Sequence, residues 1–311
     1  MADAYSLGID CGGTKVMAQS VTYNSITDLV SPSEFQLEVN YSDSPKWNSK
    51  FIPVHLDVQR QEFYEKNIYL TQLELDQGDV IVKTIQDIIS KSPSDSIGLC
   101  FPGIKNDRGV VIMANGPRIP DLLDRIEKIN SIPHDSDCCV LGEWKSTVGK
   151  LQNCDNAIYI GGGTGIADGI ILKGGMIDFN VRSDVKRSWE LKLPSGETIE
   201  SCLAPKGMID QWNLSQREKA ETLDQLSQNQ NTDMIFKKAT EALSFLIQNR
   251  IQFFKDNHAE IEKIVIGQRL GIFMANSKLI SLLNSNTDIP LDYSTDRRTA
   301  ALGAAWKKIC S

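Results

Sequence analysis

A chain of 311 residues with 41% hydrophobic and 23% charged side chains has the composition of a globular protein and the length for two domains. Its formal net charge of -7 argues against a general nucleic-acid binder, which needs clustered Lys and Arg to neutralise phosphates, but leaves room for a local anion site. No apolar run approaches membrane-spanning length, Met1-Ala2-Asp3-Ala4 lacks the basic start of a leader, and seven cysteines without CxxC spacing read as reduced thiols, so no membrane partner and a cytoplasmic location are expected.

The first element is the apolar strand Tyr5 to Asp10, followed by Cys11-Gly12-Gly13-Thr14-Lys15 and a second strand from Val16 to Tyr23. Adjacent glycines let backbone amides approach a phosphate, and Thr14 and Lys15 add a hydroxyl and a cation. A strand, a Gly-Gly turn and a strand is also how an ordinary hairpin is made, so the segment alone fits both readings. A third strand is expected over Glu34 to Asn40. The polar stretch Tyr41 to Ile52 then leads to apolar residues between Gln59 and Tyr69 whose irregular spacing fits either a helix or a substrate-side insertion.

Val80, Ile81, Ile85, Ile88 and Ile89 recur at helical spacing and predict an amphipathic helix from about Gly78 to Ser90. Ser96 to Phe101 reads as a short buried strand stopped by Pro102-Gly103, and Arg108 to Ala114 as another. Asn115-Gly116-Pro117 is then a turn, and Asp121 to Asn130 a helix ending near Pro133. The domain boundary is placed there: residues 1–132 form a small α/β domain completed by a C-terminal helix, 297–311, and residues 133–296 form a larger α/β domain.

In the second domain, His134-Asp135-Ser136-Asp137 reads as a turn before a helix from Cys138 to Leu151. Asn156 to Gly161 and Ile166 to Leu172 are strands around Gly161-Gly162-Gly163-Thr164-Gly165, so the opening hairpin recurs in kind. The remainder is mainly helical through Phe236 to Phe254, with a strand at Ile264 to Ile266 before Gly267 and a small-residue helix from Thr299 to Trp306. Two glycine-rich hairpins, one per domain, suggest two phosphate-holding jaws facing each other across a cleft, which suits a nucleotide. Asp135 is the acid between them in sequence, either a catalytic group or a helix cap.

The ordered set DCGGTK (10–15), IGLCFPG (97–103), ANGP (114–117), HDSDCCVLGE (134–143), GGGTGIADGIIL (161–172), IVIGQ (264–268) and ALGAA (301–305) resembles the ROK family of sugar kinases and repressors, in register over nearly the whole chain. The resemblance implies a two-domain actin-like ATPase fold, ribonuclease H-like in its halves, with an interdomain cleft. It implies ATP and Mg2+ as cofactors, a small sugar-like substrate and a homodimer. Asp135 takes the place of the catalytic base, which accepts the proton of an otherwise poor hydroxyl nucleophile. Asp10, Gly12, Gly13, Thr14 and Lys15, with Gly163, Thr164, Gly165 and Gly267, take the places of the ATP and phosphate contacts. Asp10 is the residue nearest the magnesium, through water.

For the sugar, the resemblance implies Asn115, His134, Asp135, Glu190 and Glu200. Asn115 is equally a turn residue, and His134, where the family has an asparagine, either contacts substrate or donates to backbone. The family segment that supplies a zinc-binding histidine and cysteines is replaced by Ser188-Trp189-Glu190-Leu191-Lys192-Leu193 and Ser195 to Glu200, with Leu193 in the histidine's place. No zinc is therefore expected, and the chain's only other histidines are His55 and His258. The function so implied is phosphorylation of a hydroxyl of a hexose, amino sugar or N-acyl hexosamine. A cyclitol kinase and a catalytically lapsed sugar-binding protein are the alternatives, and the strand pattern starting at Tyr5 disfavours a DNA-binding repressor.

Overall fold

The computed structural model describes residues 4–277 and 287–311, so the leader expectation for Met1 to Asp3 falls outside the described residues. The chain divides into two compact units, Met1–Val148 with Arg298–Ser311, and Gly149–Arg297.

The first unit is built on a sheet in the order β3-β2-β1-β4. Strand β1 (Ala4–Cys11) is antiparallel to β2 (Lys15–Asn24), β2 is antiparallel to β3 (Leu29–Asn40), and β1 is parallel to β4 (Ile97–Cys100). β3 begins earlier than its alternating pattern from Glu34 indicates, because its first residues pair with Val21 to Asn24 after a register shift. As the edge strand it tolerates Pro32, which has no amide to donate. Two short strands, β5 (Ile104–Lys105) and β6 (Val110–Ile112), pair separately.

The ambiguous stretch after β3 contains helix α1 (Leu56–Tyr64), and the amphipathic helix α2 runs from Gln72 to Lys91. α2 starts before Gly78 because Thr71 caps it, accepting from the Glu74 amide at 3.1 Å, and because its first turns bury polar groups that have partners. Glu74 receives Arg118 through Nε and Nη2, both at 2.9 Å, while Arg118 also pairs with Glu62 and donates to the Tyr69 carbonyl at 2.9 Å. Gln59 bonds the Met113 amide at 2.8 Å and the Met113 carbonyl at 3.0 Å. The region between β3 and α2 therefore holds the backbone on both sides of Asn115.

Residues 121–130 form successive turns rather than the expected helix. Their amides reach back three residues, as in Asp124 to Asp121 and Ile129 to Ile126, both at 3.1 Å. The Leu123 amide goes instead to Arg108, and Gln86 takes the Arg125 carbonyl, so these groups are used outside a helix.

Helix α3 (Asp135–Lys145) starts at Asp135, before the expected Cys138, and stops well before Leu151. It stops because the chain turns to meet β3: the Thr147 amide donates to Val30 at 2.9 Å. α3 belongs to the first unit, not to the second as the sequence suggested. The reason is its packing on the C-terminal helix Thr299–Ile309. A Cβ on Gly142 would lie 1.8 Å from the Thr299 carbonyl oxygen, and one on Gly303 would lie 1.9 Å from that of Cys138. The same helix meets the sheet through Gly8 and Gly98, where a Cβ would stand 1.7 Å from Ala301 O and 2.1 Å from Ala304 O.

In the second unit, β7 (Ala157–Gly162), β8 (Ile166–Leu172), β9 (Gly175–Met176), β10 (Lys263–Gly267) and β11 (Leu291–Tyr293) form a sheet in the order β11-β10-β7-β8-β9. β7 and β8 form an antiparallel hairpin and β10 runs parallel to β7, as β4 does to β1, so the two units share a central motif. Helices α4 (Ile199–Leu203), α5 (Pro205–Ser215), α6 (Leu223–Gln228), α7 (Asp233–Asp256) and α8 (Gln268–Ala275) complete it. α7 lays Ala239, Leu243, Leu246 and Phe254 into a core with Ile158, Ile160, Ile170 and Ile264. Its Arg250 is buried against Asp168 at 2.6 Å.

Gly142→Ala should destabilise the chain by about 1–3 kcal/mol or more, because the contact is backbone and cannot swing aside. Urea unfolding measures it, and an unchanged midpoint would show that α3 and the C-terminal helix do not touch in this way.

Candidate active site

In the first unit the glycine turn between β1 and β2 is closed by the Gly12 amide donating to Lys15 O at 2.9 Å. The buried Tyr41 braces it: its amide donates to Thr14 O at 3.0 Å and its hydroxyl to Gly12 O at 3.2 Å. Gly13 lies directly on the Asn115 loop, where a Cβ would sit 2.1 Å from the Asn115 carbonyl oxygen. The turn and the loop are thus seated on each other, with Asn115 and Thr14 exposed. Lys15 has its own structural task, an ion pair with Glu38 at 3.0 Å.

Asp10 stands at the end of β1, and Cys100 on the neighbouring β4 donates its thiol to Asp10 Oδ1 at 3.6 Å. Asp135 is the first residue of α3. The cap position is His134, so Asp135 does not fill that role, although its Oδ1 accepts from the Ser136 amide at 2.9 Å. Both carboxyls keep some accessible surface but are enclosed deeply enough for burial to dominate their chemistry. Burial pushes the Asp10 carboxyl up to about 7, with the charge of Asp135 adding and the Cys100 thiol opposing. Burial also raises the Asp135 carboxyl, against the nearby Lys105 ammonium and the Ser136 amide. Lys105, unmarked in the sequence, is pulled down to about 8 by burial, opposed chiefly by Asp135. Its ammonium touches the Phe101 carbonyl and lies 3.0 Å from His134 Nδ1. These groups act on one another, which makes the enclosed cluster the candidate reaction centre.

In the second unit, the Gly163 amide donates to Gly165 O at 2.9 Å, closing the turn between β7 and β8. Glu200, in the first turn of α4, accepts from the Ile166 amide at 3.2 Å, and a Cβ on Gly165 would come within 2.4 Å of its carboxylate. Gly267 pairs in register with Gly161, and both lie over the Tyr159 ring. The next residue, Gln268, adopts φ 58°, in the left-handed region that favours glycine. Its Oε1 stands 3.3 Å from where Cβ atoms of Gly161 and Gly163 would be, so its side chain covers the turn. Glu190 is engaged locally, accepting from the Arg187 amide at 2.8 Å, and Leu193 packs on the apolar core.

Each unit thus gathers its own share of the expected residues: Asp10, Gly12, Gly13, Thr14, Asn115, His134 and Asp135 in the first, and Gly163, Thr164, Gly165, Glu200 and Gly267 in the second. Among the described residues no three His, Cys, Asp or Glu side chains cluster as metal ligands. Among them, too, no helix is long and apolar enough to cross a membrane. The Asp10 carboxylate nevertheless suits magnesium, which takes one or two carboxylates and completes its shell with water and phosphate oxygens.

Neither a protein-family model nor a curated protein sequence matches the chain. Solved structures do. A putative N-acetylmannosamine kinase from Listeria monocytogenes, Lmo2764, superposes with TM-score 0.66 at 16% identity, over 99% of each chain. A ROK family glucokinase from Streptomyces griseus, in complex with glucose and AMPPNP, gives 0.62 at 12% identity, over 97% of this chain and 98% of that one. A ROK family transcriptional regulator, a homologue of the E. coli MLC protein, gives 0.57 at 14% identity, over 98% of this chain and 78% of that one. The chain therefore shares its α/β fold with ROK family sugar kinases.

Asp10 supplies a test by linkage. Folded Asp10 holds its proton up to about 7, while an unfolded carboxyl loses it near 3.8, so this contribution to stability is complete below the lower value and lost as pH rises through the upper. Asp10→Asn should gain on the wild type by up to about 4 kcal/mol between about pH 4 and pH 7 in magnesium-free buffer. A difference that does not change with pH in denaturant unfolding would contradict the assigned environment.

Proposed function

We propose that the chain is an ATP-dependent kinase that phosphorylates a hydroxyl of a hexose, an amino sugar or an N-acyl hexosamine, with Asp135 as the general base. The observation that carries this reading is the enclosed pair Asp10 and Asp135 beside the Gly12-Gly13 turn, on a fold shared with sugar kinases.

A sugar hydroxyl is a weak nucleophile. The Asp135 carboxylate accepts its proton as the hydroxyl oxygen bonds to the γ-phosphorus, the bond from that phosphorus to the bridging oxygen breaks, and ADP leaves. A raised proton affinity suits this step, since a carboxylate held above its ordinary range takes the proton more readily. Lys105 acts in the opposite direction and favours the ionised carboxylate. The amides of Gly12 and Gly13 and those of Gly163 to Gly165 take the phosphates, with Gly267 beside the second turn. Asp10 would hold magnesium through water, and the bound ion would neutralise phosphate charge. Asn115, His134, Glu190 and Glu200 are the proposed acceptor contacts. Two retained acids in so enclosed a setting favour a kinase over a lapsed sugar-binding protein or a regulator, and a cyclitol remains within the acceptor class to be tested.

Incubation with ATP, magnesium and a panel of hexoses, amino sugars, N-acyl hexosamines and cyclitols, read as ADP release, tests the proposal. At least one acceptor should stimulate release, and Asp135→Asn should lower that turnover by about three or more orders of magnitude while leaving ATP affinity nearly unchanged. No stimulation by any acceptor, or an Asp135→Asn variant as active as wild type, would overturn it.

A further inference from the structure

Lys105 lies on β5, just beyond the Pro102-Gly103 turn, and its side chain returns to the end of β4. Its ammonium donates to the Phe101 carbonyl and lies 3.0 Å from His134 Nδ1. The two groups it touches are already joined, since Phe101 and His134 form a parallel bridge and the Phe101 amide donates to Pro133 O at 3.2 Å. Among the described residues, Asp135, Cys100, Asp137 and Cys138 are the leading charged or titratable groups acting on it. With its range pulled down to about 8, Lys105 is still an ammonium at pH 7.

An ammonium has three donors and no acceptor, so the 3.0 Å contact can be a hydrogen bond only if His134 Nδ1 accepts. The ring then carries its single proton on Nε2. A proton on Nδ1 would set N–H against N–H, and a ring protonated on both nitrogens would also place a second positive charge beside the first.

We propose that Lys105 is a positioning residue that locks His134 as the neutral Nε2–H tautomer, so that the residue preceding Asp135 presents a hydrogen-bond donor. That this donor meets the acceptor sugar rests on the kinase reading; the tautomer does not. The lock also explains why His134 makes no side-chain capping bond to α3 although it sits at the cap position, since its Nδ1 is taken by Lys105.

The test is long-range proton–nitrogen correlation NMR on the full chain labelled with 15N-histidine, at pH 7. Only three histidines contribute, and the His134 signals are those lost in His134→Asn. The expected wild-type pattern is an unprotonated Nδ1 and a protonated Nε2. Lys105→Arg should retain that pattern, whereas Lys105→Met should lose it and show a mixture of tautomers. A protonated Nδ1 in the wild type overturns the proposal, and so does an unchanged pattern in Lys105→Met. Should Lys105→Met fail to fold, as judged by circular dichroism, the wild-type spectrum with the Lys105→Arg spectrum decides the question. The readout needs no turnover, so an inactive kinase assay leaves it standing, and an active kinase with the other tautomer rejects it alone.

Discussion

The helix Thr299–Ile309 touches β1, β4 and α3 backbone to backbone, and the placement of the acids in the first unit depends on that contact. The approach is possible only because Gly8, Gly98, Gly142 and Gly303 present no Cβ where carbonyl oxygens of the facing elements lie. Gly8 and Asp10 share a face of β1, since alternate residues of a strand point the same way. Asp135, Cys138 and Gly142 recur on one stripe of α3 at the spacing of successive helical turns. The glycines that admit the C-terminal helix therefore also set the rotation of the strand that carries Asp10 and of the helix that carries Asp135. Cys100 connects the two layers, with its thiol near Asp10 Oδ1 at 3.6 Å and near Ala300 O at 3.8 Å. Segments from the beginning, middle and end of the chain thus meet around two carboxyls.

Enclosure gives those carboxyls their chemistry. Water would leave each ionised well below neutrality, whereas here burial and, for Asp10, the neighbouring negative charge favour the protonated form. Lys105 is the countering charge, and its own proton is loosened by the same burial. The support is polar and specific: Tyr41 holds the Gly12-Gly13 turn, while Gln59 and the Arg118–Glu74 pair hold the chain on either side of Asn115. Polar anchors of this kind fix a loop in one register, because a buried donor or acceptor left alone costs about 1–3 kcal/mol.

Local pattern made much of this visible. The two glycine hairpins, the apolar face of α2, the strand before Pro102-Gly103 and the small-residue final helix follow from periodicity and turn chemistry. What escaped depends on partners distant in sequence. The start of α2 is fixed by Arg118 on Glu74, the turns over 121–130 by the Arg108 carbonyl and Gln86, and the end of α3 by Val30. Assignment of α3 to the second unit failed because its partner is the chain's last helix, which no local signal announces. Of the candidate site, Asp10, Asp135 and the glycines stand out as motifs in the sequence. Tyr41, Lys105 and Gln268 do not: a tyrosine, a lysine and a glutamine in polar stretches carry no signal until the fold shows what they touch.

The proposed reaction requires that Asp135 face the hydroxyl that receives the phosphoryl group while the Gly12-Gly13 turn holds phosphate. A crystal structure of the full chain with magnesium, a non-hydrolysable ATP analogue and a bound acceptor tests it most directly. A carboxylate oxygen of Asp135 should lie within about 2.6–3.2 Å of one acceptor hydroxyl, with analogue phosphates against the amides of Gly12 and Gly13. An acceptor hydroxyl directed at another residue, or phosphates bound away from that turn, would contradict it.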